Sequence, residues 1–310
     1  MIDFHRKMLA DTVRNEAFAK ALRAAVKPGS VVADIGAGTG FLGFIASQAG
    51  AKECHLYESG DVWAVGKNIA KRNGIKNCTF VHRHSTEVKK PVPADVVVSE
   101  TLGNYALEEH ILETMNDARE RYLKPGGTLI PRGLTQFACP IISDRPVREL
   151  DVWGQVGFGL DFTPAREVAF HNAYVRTMLP ADLLGGGSAA QVVDALDFTQ
   201  PNESRRALTG QWKVAEGASV YGCALWWEAE LAPGIILSTD PSKAATHWEQ
   251  IALFLPEPLH AQAGDALMLT LTSDTAVGRG INLTWQMRVF RGGKKAGESM
   301  MMDMRKGHLD

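Results

Sequence analysis

Cysteine is scarce in this 310-residue chain, and the four present, Cys54, Cys78, Cys139 and Cys223, are widely scattered. With no C-x-x-C pair and no histidine cluster at ligand spacing, neither a disulfide framework nor a metal site is expected, and the thiols read as reduced. No apolar run reaches the roughly 18 residues of a membrane-spanning helix, so no membrane partner is expected. The N-terminal stretch carries Asp3, Arg6, Lys7, Asp11, Arg14 and Glu16 where a secretory leader would be apolar, which makes a cytoplasmic location the expectation. Charge of one sign is not in surplus either. Lys and Arg number 33 against 35 Asp and Glu, a net charge of −2, which argues against nucleic acid as the main partner. Internal repeats and long low-complexity tracts are lacking. A hydrophobic content of 45% and a charged content of 22% are those of an ordinary globular protein, with room for two modest domains.

What is present is organised around Val31-Val32-Ala33-Asp34-Ile35-Gly36-Ala37-Gly38-Thr39-Gly40. An apolar run ends in glycines and passes at once into a helical pattern from Phe41. Strand, tight turn and helix N-terminus together offer free amide groups to a ligand. Gly38-Thr39-Gly40-Phe41-Leu42-Gly43 also fits the dinucleotide fingerprint G-x-G-x-x-G, so the turn alone leaves a nicotinamide cofactor open. Asp34 tilts the choice. A carboxylate at the strand end repels a pyrophosphate but tolerates a cationic, amino-acid-bearing ligand such as S-adenosylmethionine.

Residues 3–26 have helical periodicity, broken by Lys27-Pro28-Gly29. From Val31 strands alternate with helices: strands at 31–35, 53–57, 78–81, 94–99 and from 128, helices at 62–72 and 107–123. That order predicts a doubly wound parallel sheet, with ligands at the strand carboxyl ends, where Asp34, Glu58 and Glu100 all fall. Past about residue 140 the texture changes to an irregular stretch at 151–184, a Gly185-Gly186-Gly187-Ser188 tract and short strand-like pieces at 226–231, 251–255, 266–272 and 283–290. These read as an antiparallel sandwich or barrel. The Met300-Met301-Met302 run reads as strand packing. Expected segments are N-terminal helices at 1–28, a ligand-binding Rossmann-like domain at 29–140 and an antiparallel β-barrel or sandwich domain at 141–310.

Glu58 lies 18 positions past Gly40, near the offset at which an acid meets a ribose hydroxyl pair with either cofactor. Ser99-Glu100-Thr101-Leu102-Gly103-Asn104-Tyr105-Ala106-Leu107-Glu108-Glu109 runs from a strand end into a helix start. Two acids here suit a guanidinium, a planar fork of five donors. Acids in a first helical turn also favour the helix dipole, which accounts for Glu108 and Glu109 without a ligand but leaves Glu100 unexplained.

The glycine turn after Asp34, the Ser99–Glu109 stretch and Thr246-His247-Trp248 together resemble the protein arginine methyltransferases. The family's two loop glutamates have the spacing of Glu100 and Glu109, and its Thr-His-Trp motif stands unaltered, followed by Glu249-Gln250 and an apolar strand. His5-x-x-Met8-Leu9-x-Asp11-x-x-Arg14 resembles the family's lid helix. The resemblance runs from about residue 5 to residue 300. It implies S-adenosylmethionine as cofactor, with His5 and Met8 in the lid, Arg14 on the donor's carboxylate, Asp34, Gly36, Gly38 and Gly40 in the turn, Glu58 on the ribose and Thr86 near the adenine. Glu100 and Glu109 would grip the substrate guanidinium, His247 would pair with Asp11, and Trp248 would line the substrate entrance; the released proton would pass to either glutamate or out through His247 and Asp11. A dimerisation arm would fall at about 151–184, giving a homodimer.

Three departures from the family pattern bear on the substrate and cofactor. Thr101 stands where a Trp usually follows the first glutamate, the family's Tyr-Phe-x-x-Tyr element has no counterpart ahead of His5, and the adenine-contacting glutamate aligns with Thr86 unless a one-residue slip restores Glu87. The acceptor is therefore an arginine in a protein or peptide, or a small guanidino metabolite. In either case two carboxylates draw positive charge onto the nitrogens they bind and leave the third richer in electrons for in-line attack on the sulfonium methyl. The reading from another class is a non-catalytic scaffold, which has no need to keep Glu100, Glu109, Asp11, Arg14 and His247 together.

Overall fold

The computed structural model describes residues 2–276, 280–297 and 299–307. Met1 and residues 308–310, the outer ends of the first and last expected segments, lie outside it.

The expected N-terminal helix is two helices, α1 (Ile2–Ala10) and α2 (Thr12–Ala25). The break is local chemistry. Asp11 adopts extended backbone and its carboxylate accepts the Arg14 amide at 2.9 Å, the geometry of an N-cap, so it starts a new helix where periodicity alone sees one. α1 buries none of its residues, whereas α2 buries Phe18 and Leu22 completely.

Then come β1 (Val31–Ile35), α3 (Phe41–Gln48), β2 (Glu53–Glu58), α4 (Trp63–Arg72), β3 (Cys78–His82), β4 (Ala94–Ser99), α5 (Ile111–Asp117) and β5 (Leu123–Ile130). The five strands form one parallel sheet in the order β3-β2-β1-β4-β5. All of β1 and nearly all of β4 is buried, as continuous Val-rich runs predict for strands covered on both faces. The order reverses between β1 and β4, so the crevice above their carboxyl ends is the switch point at which such sheets hold ligands. Two expected boundaries shift. The helix expected over 107–123 is a short turn, α5 and a final wide turn at Ala118–Tyr122. β5 begins five residues early, because Lys124 reaches back to Asp95 at 2.9 Å and holds the Pro-Gly-Gly stretch against β4 as an irregularity in the ladder.

Past β5 the chain is antiparallel: β6 (Gly133–Ile141), α6 (Arg145–Arg148), α7 (Thr163–Phe170), β7 (Ala173–Arg176), β8 (Gln191–Asp197), β9 (Arg205–Lys213), β10 (Ala218–Ala232), β11 (Ile235–Ser238), β12 (Gln250–Ala261), β13 (Ala266–Asp274), β14 (Asn282–Arg291), β15 (Lys294–Ala296) and β16 (Met301–Asp303). One sheet runs β7-β12-β10-β6-β8 with β11 on β10; the other runs β15-β14-β13-β9 with β16 on β14. β13 and β14 alternate buried and open positions, which is why their period-2 pattern was readable. Residues 173–176 belong to this sheet, paired with β12, so the projecting part of the 151–184 stretch is its first portion. The Gly185-Gly186-Gly187 tract is a tight turn with all three glycines at positive φ. Met302 is fully buried opposite Trp285. α2 touches α3 and β5 on one side and β10 and β11 on the other, which brings the antiparallel half against the carboxyl edge of the parallel sheet.

Candidate active site

A cavity of about 270 Å³ opens above the carboxyl ends of β1, β2 and β4, and its wall includes His5, Met8, Arg14, Gly36, Gly38, Glu58, Glu100 and Glu109. Eight of the fourteen residues singled out from sequence thus meet in one place. α1 forms the outer wall through Phe4, His5, Met8 and Leu9, and its apolar face is left partly exposed.

The turn after β1 needs its glycines. Gly36 and Gly38 have φ of 71° and 54°, and a Cβ on Gly36 would sit 2.9 Å from the Thr101 methyl. Glu58, at the end of β2, bridges the turn: its carboxylate accepts the Gly38 amide at 2.8 Å and the Gly60 amide at 2.6 Å. A vicinal diol placed here would donate to a carboxylate already fixed in position. Beyond it, Ser85 lines the cavity with a buried hydroxyl that has no protein partner among the described residues. This polar pair fits the ribose and base end of an adenosyl group. Ser85, not Thr86, faces the cavity; Thr86 is exposed and its hydroxyl is held by the His84 ring at 2.7 Å.

Asp34 and Gly40 stand behind the wall, not in it. Asp34 is 1% exposed and its carboxylate accepts the Gly43 amide at 2.8 Å, so it clamps the first turn of α3 under the glycine loop. Burial pushes its pKa up to about 7. Its influence on a ligand is through the turn it holds, which corrects the expectation of direct repulsion or attraction. Gly40 is the N-cap of α3 at φ 87°, and a Cβ there would meet the Phe44 and Phe80 rings.

At the other end of the cavity lie the two glutamates. Glu100 is bonded to Arg14: Nε donates to Oε2 at 2.6 Å and Nη2 donates to the same oxygen, with both side chains buried. The residues expected to hold the donor's carboxylate and the acceptor's guanidinium therefore hold one another. Glu109 sits at φ 56°, followed by His110 at φ 56°. Two consecutive non-glycine residues in the left-handed region are strained, and the strain turns the Glu109 carboxylate into the cavity. Burial, with Glu100 and Glu108 adding repulsion, pushes its pKa up to about 7.

Asp11 and His247 meet as the resemblance implies. The Asp11 carboxylate accepts the His247 amide at 2.9 Å and faces its Nδ1 at 2.8 Å while also capping α2. Burial alone would raise the Asp11 pKa; the His247 contacts and the Arg14 amide together outweigh it and hold it below the usual carboxylate range. This pair does not reach the cavity wall. It fixes the helix that carries Arg14. Trp248 is corrected more fully: it is 3% exposed and lines no entrance. Its indole N–H donates to the Leu102 carbonyl at 2.6 Å, Trp227 donates to the Gly103 carbonyl at 3.1 Å, and Asn104 donates to the Trp248 carbonyl at 2.5 Å. The barrel thus suspends the Glu100–Asn104 loop by its backbone. Trp227 and Asn104 carry no sequence signal for this, since their partners lie 124 and 144 residues away. Among the described residues no group of three or more His, Cys, Asp or Glu could hold a metal ion, and no helix is long and apolar enough to cross a membrane.

Known proteins resemble this chain in sequence and in fold. Residues 135–288 match the arginine methyltransferase oligomerization subdomain, and residues 17–148 match the ribosomal protein L11 methyltransferase (PrmA) family. The chain is 32% identical over 278 residues to protein arginine N-methyltransferase 6 of Xenopus laevis, covering 84% of this chain and 80% of that one. It is 30% identical over 277 residues to the arginine N(omega)-methyltransferase of Streptomyces achromogenes subsp. streptozoticus, covering 86% and 75%. Among solved structures, Trypanosoma brucei PRMT1, in an enzyme–prozyme heterotetrameric complex with AdoHcy, superposes with a TM-score of 0.85 at 21% identity over 97% of this chain and 98% of that one. Arabidopsis thaliana protein arginine methyltransferase 10 gives 0.84 at 21% identity over 98% of each. The chain belongs to the protein arginine N-methyltransferase family.

Proposed function

We propose that the protein transfers a methyl group from S-adenosylmethionine to a guanidino nitrogen of an arginine side chain in a protein or peptide. The observation that carries this reading is that one cavity joins the Glu58 and Gly38 cradle at one end to Arg14, Glu100 and Glu109 at the other.

The donor, when bound, supplies an electrophilic sulfonium methyl. Glu58 takes the ribose hydroxyls, Ser85 offers its hydroxyl at the base end, and His5 and Met8 close the site from α1. Arg14 turns from Glu100 to the donor's carboxylate. That exchange frees the Glu100 carboxylate, which then binds the acceptor guanidinium together with Glu109. Charge drawn toward these two carboxylates leaves the remaining nitrogen better able to attack, and the pre-set loop supplies orientation. Glu109, whose pKa lies near neutrality, is suited to receive the proton released from the methylated nitrogen.

A protein acceptor is favoured over free arginine by the charges in the cavity wall. Among the described lining residues the full cations are Arg14 and Arg83, and Arg83 follows β3 beside Glu58, at the ribose end. With Arg14 assigned to the donor, neither is left to take the α-carboxylate of a free amino acid. A small guanidino acceptor remains the second reading, favoured by the likeness to the Streptomyces arginine N(omega)-methyltransferase. Mass spectrometry of products from an arginine-rich peptide and from free arginine separates the two: methylation of the peptide is expected, and methylation of free arginine alone would overturn the protein reading.

A homodimer in the cytoplasm completes the proposal. The match of residues 135–288 to an oligomerization subdomain supports self-association. So does the apolar surface of the 151–184 arm, where Phe158 is 95% exposed and Leu160 64%. Four unbridged cysteines accord with a reducing compartment.

A further inference from the structure

Cys54 and Cys78 lie far from the acceptor end and take no part in the chemistry above. They are direct partners in the parallel ladder between β2 and β3, so their side chains leave the same face of the sheet from neighbouring strands. Adjacent strands run about 4.8 Å apart, inside the Cα separation a disulfide spans. The Cys78 thiol donates to the Gly43 carbonyl at 3.7 Å, and the neighbouring Cys54 thiol holds its pKa below the usual thiol value. β3 is the outer strand of its sheet, and Cys78, half-buried, lines a groove between β3 and α4. The same groove is lined by Lys67, Lys71 and Lys76, all exposed, and by no acidic residue. Lys67 also stands over the Trp63 ring at 5.0 Å; Lys71 and Lys76 make no side-chain ion pair among the described residues. Cys54, in contrast, is fully buried. One thiol is thus reachable through a cationic groove and the other waits behind it.

We propose that Cys54 and Cys78 form an oxidisable dithiol, entered at Cys78 and selective for anionic disulfides of the glutathione disulfide class. The Cys78 thiolate attacks one sulfur of the external disulfide. The S–S bond breaks, and the leaving thiolate takes up the proton that Cys78 gave. Cys54 then attacks the Cys78 sulfur, a Cys54–Cys78 bond forms, and the second external thiol departs with the Cys54 proton. Two protein thiols are oxidised and one disulfide is reduced to two thiols. The lysines favour an anionic reagent by raising its local concentration.

The full-length protein is incubated with glutathione disulfide at low ionic strength, the free thiols are alkylated, and intact mass and linked peptides are measured. The wild type is expected to lose two alkylatable thiols and yield a Cys54–Cys78 peptide. Cys54→Ser is expected to stop at one glutathione adduct on Cys78, and Cys78→Ser to gain neither. Lys67→Glu/Lys71→Glu/Lys76→Glu, changed at exposed positions, is expected to slow the reaction about tenfold or more, and the cationic disulfide cystamine to lose its disadvantage in that variant. An adduct that forms equally in Cys78→Ser, or a rate indifferent to the lysine charges, would overturn the proposal.

Discussion

The Arg14 guanidinium and the Glu100 carboxylate are bonded to each other at the floor of the cavity, Nε to Oε2 at 2.6 Å, with side chains 8% and 4% exposed. In the proposed function each is the group that a different ligand needs. Donor and acceptor would then be linked through one ion pair, and a donor carboxylate that captured Arg14 would hand Glu100 to the acceptor.

This coupling has a measurable size. Titration of an arginine peptide by calorimetry is expected to show affinity at least about tenfold higher with S-adenosylhomocysteine present, within the usual 5–150-fold range of site coupling. Equal peptide affinity with and without that ligand would show that Arg14 does not hold Glu100 back.

Glu100→Gln separates catalysis from binding. Turnover is expected to fall by about 10² or more, since half of the guanidinium clamp loses its charge. Donor affinity is expected to hold or improve, because Arg14 is released from its partner. The ligand-free protein should also lose stability, on the order of 3–5 kcal/mol for a buried pair stripped of one charge, read as a lowered Tm. Weakened donor binding with normal turnover would assign Glu100 to the donor instead.

Glu109 sets a pH dependence. Its pKa is raised to about 7, chiefly by burial, and the clamp needs the ionised form. The ratio kcat/KM for the acceptor is therefore expected to rise through pH 7 with a single ionisation and then level off. Glu109→Gln should remove that limb along with most of the activity. An acid limb centred near pH 4.5 would contradict the buried placement of Glu109.

Asp34 makes the complementary prediction for stability. Its folded pKa of about 7 exceeds the ordinary aspartate value, so the folded state binds the proton more tightly than the unfolded state does. Stability should fall as pH rises from about 4 to 7, by about 1.4 kcal/mol per pH unit at most. Asp34→Asn, which retains an oxygen for the Gly43 amide, should flatten that slope with little change in Tm near pH 5. A slope unchanged in the variant would remove Asp34 as its source.

Trp227→Phe tests the suspension of the acceptor loop. A smaller aromatic ring remains but the donor to the Gly103 carbonyl is gone, leaving a buried acceptor unpaired at a cost of about 1–3 kcal/mol on top of the lost packing. Acceptor kcat/KM is expected to drop about tenfold while donor affinity is unchanged. Equal loss of both would point to general destabilisation.

Much of this was legible in the chain itself. β1 and β4 announce themselves because a strand buried on both faces must be continuously apolar, and β13 and β14 because a strand with one buried face must alternate. Glycines at 36 and 38 mark the turn because only they accept its backbone and the close approach of Thr101. The misses share a cause. Asp34, Gly40, Thr86 and Trp248 belong to motifs that point to the ligand, but motif membership does not say which way a side chain faces; three of them brace the wall from behind, and Thr86 points outward beside Ser85. β6 and β8 are not marked by periodicity because their patterns are interrupted by polar residues satisfied across the sheet, such as Gln136 on Asp194. The Arg14–Glu100 pair spans 86 residues and follows from how α2 crosses the sheet edge, which no local pattern encodes.

The most direct test of the account is single-turnover transfer of a labelled methyl from saturating S-adenosylmethionine to an arginine peptide, run with the wild type and with Glu100→Gln side by side. The account predicts label on the guanidino nitrogen with the wild type and at least about a hundredfold slower transfer with the variant, both proteins binding the donor. Equal transfer by the two, or donor binding by the wild type with no label on any arginine, would contradict it.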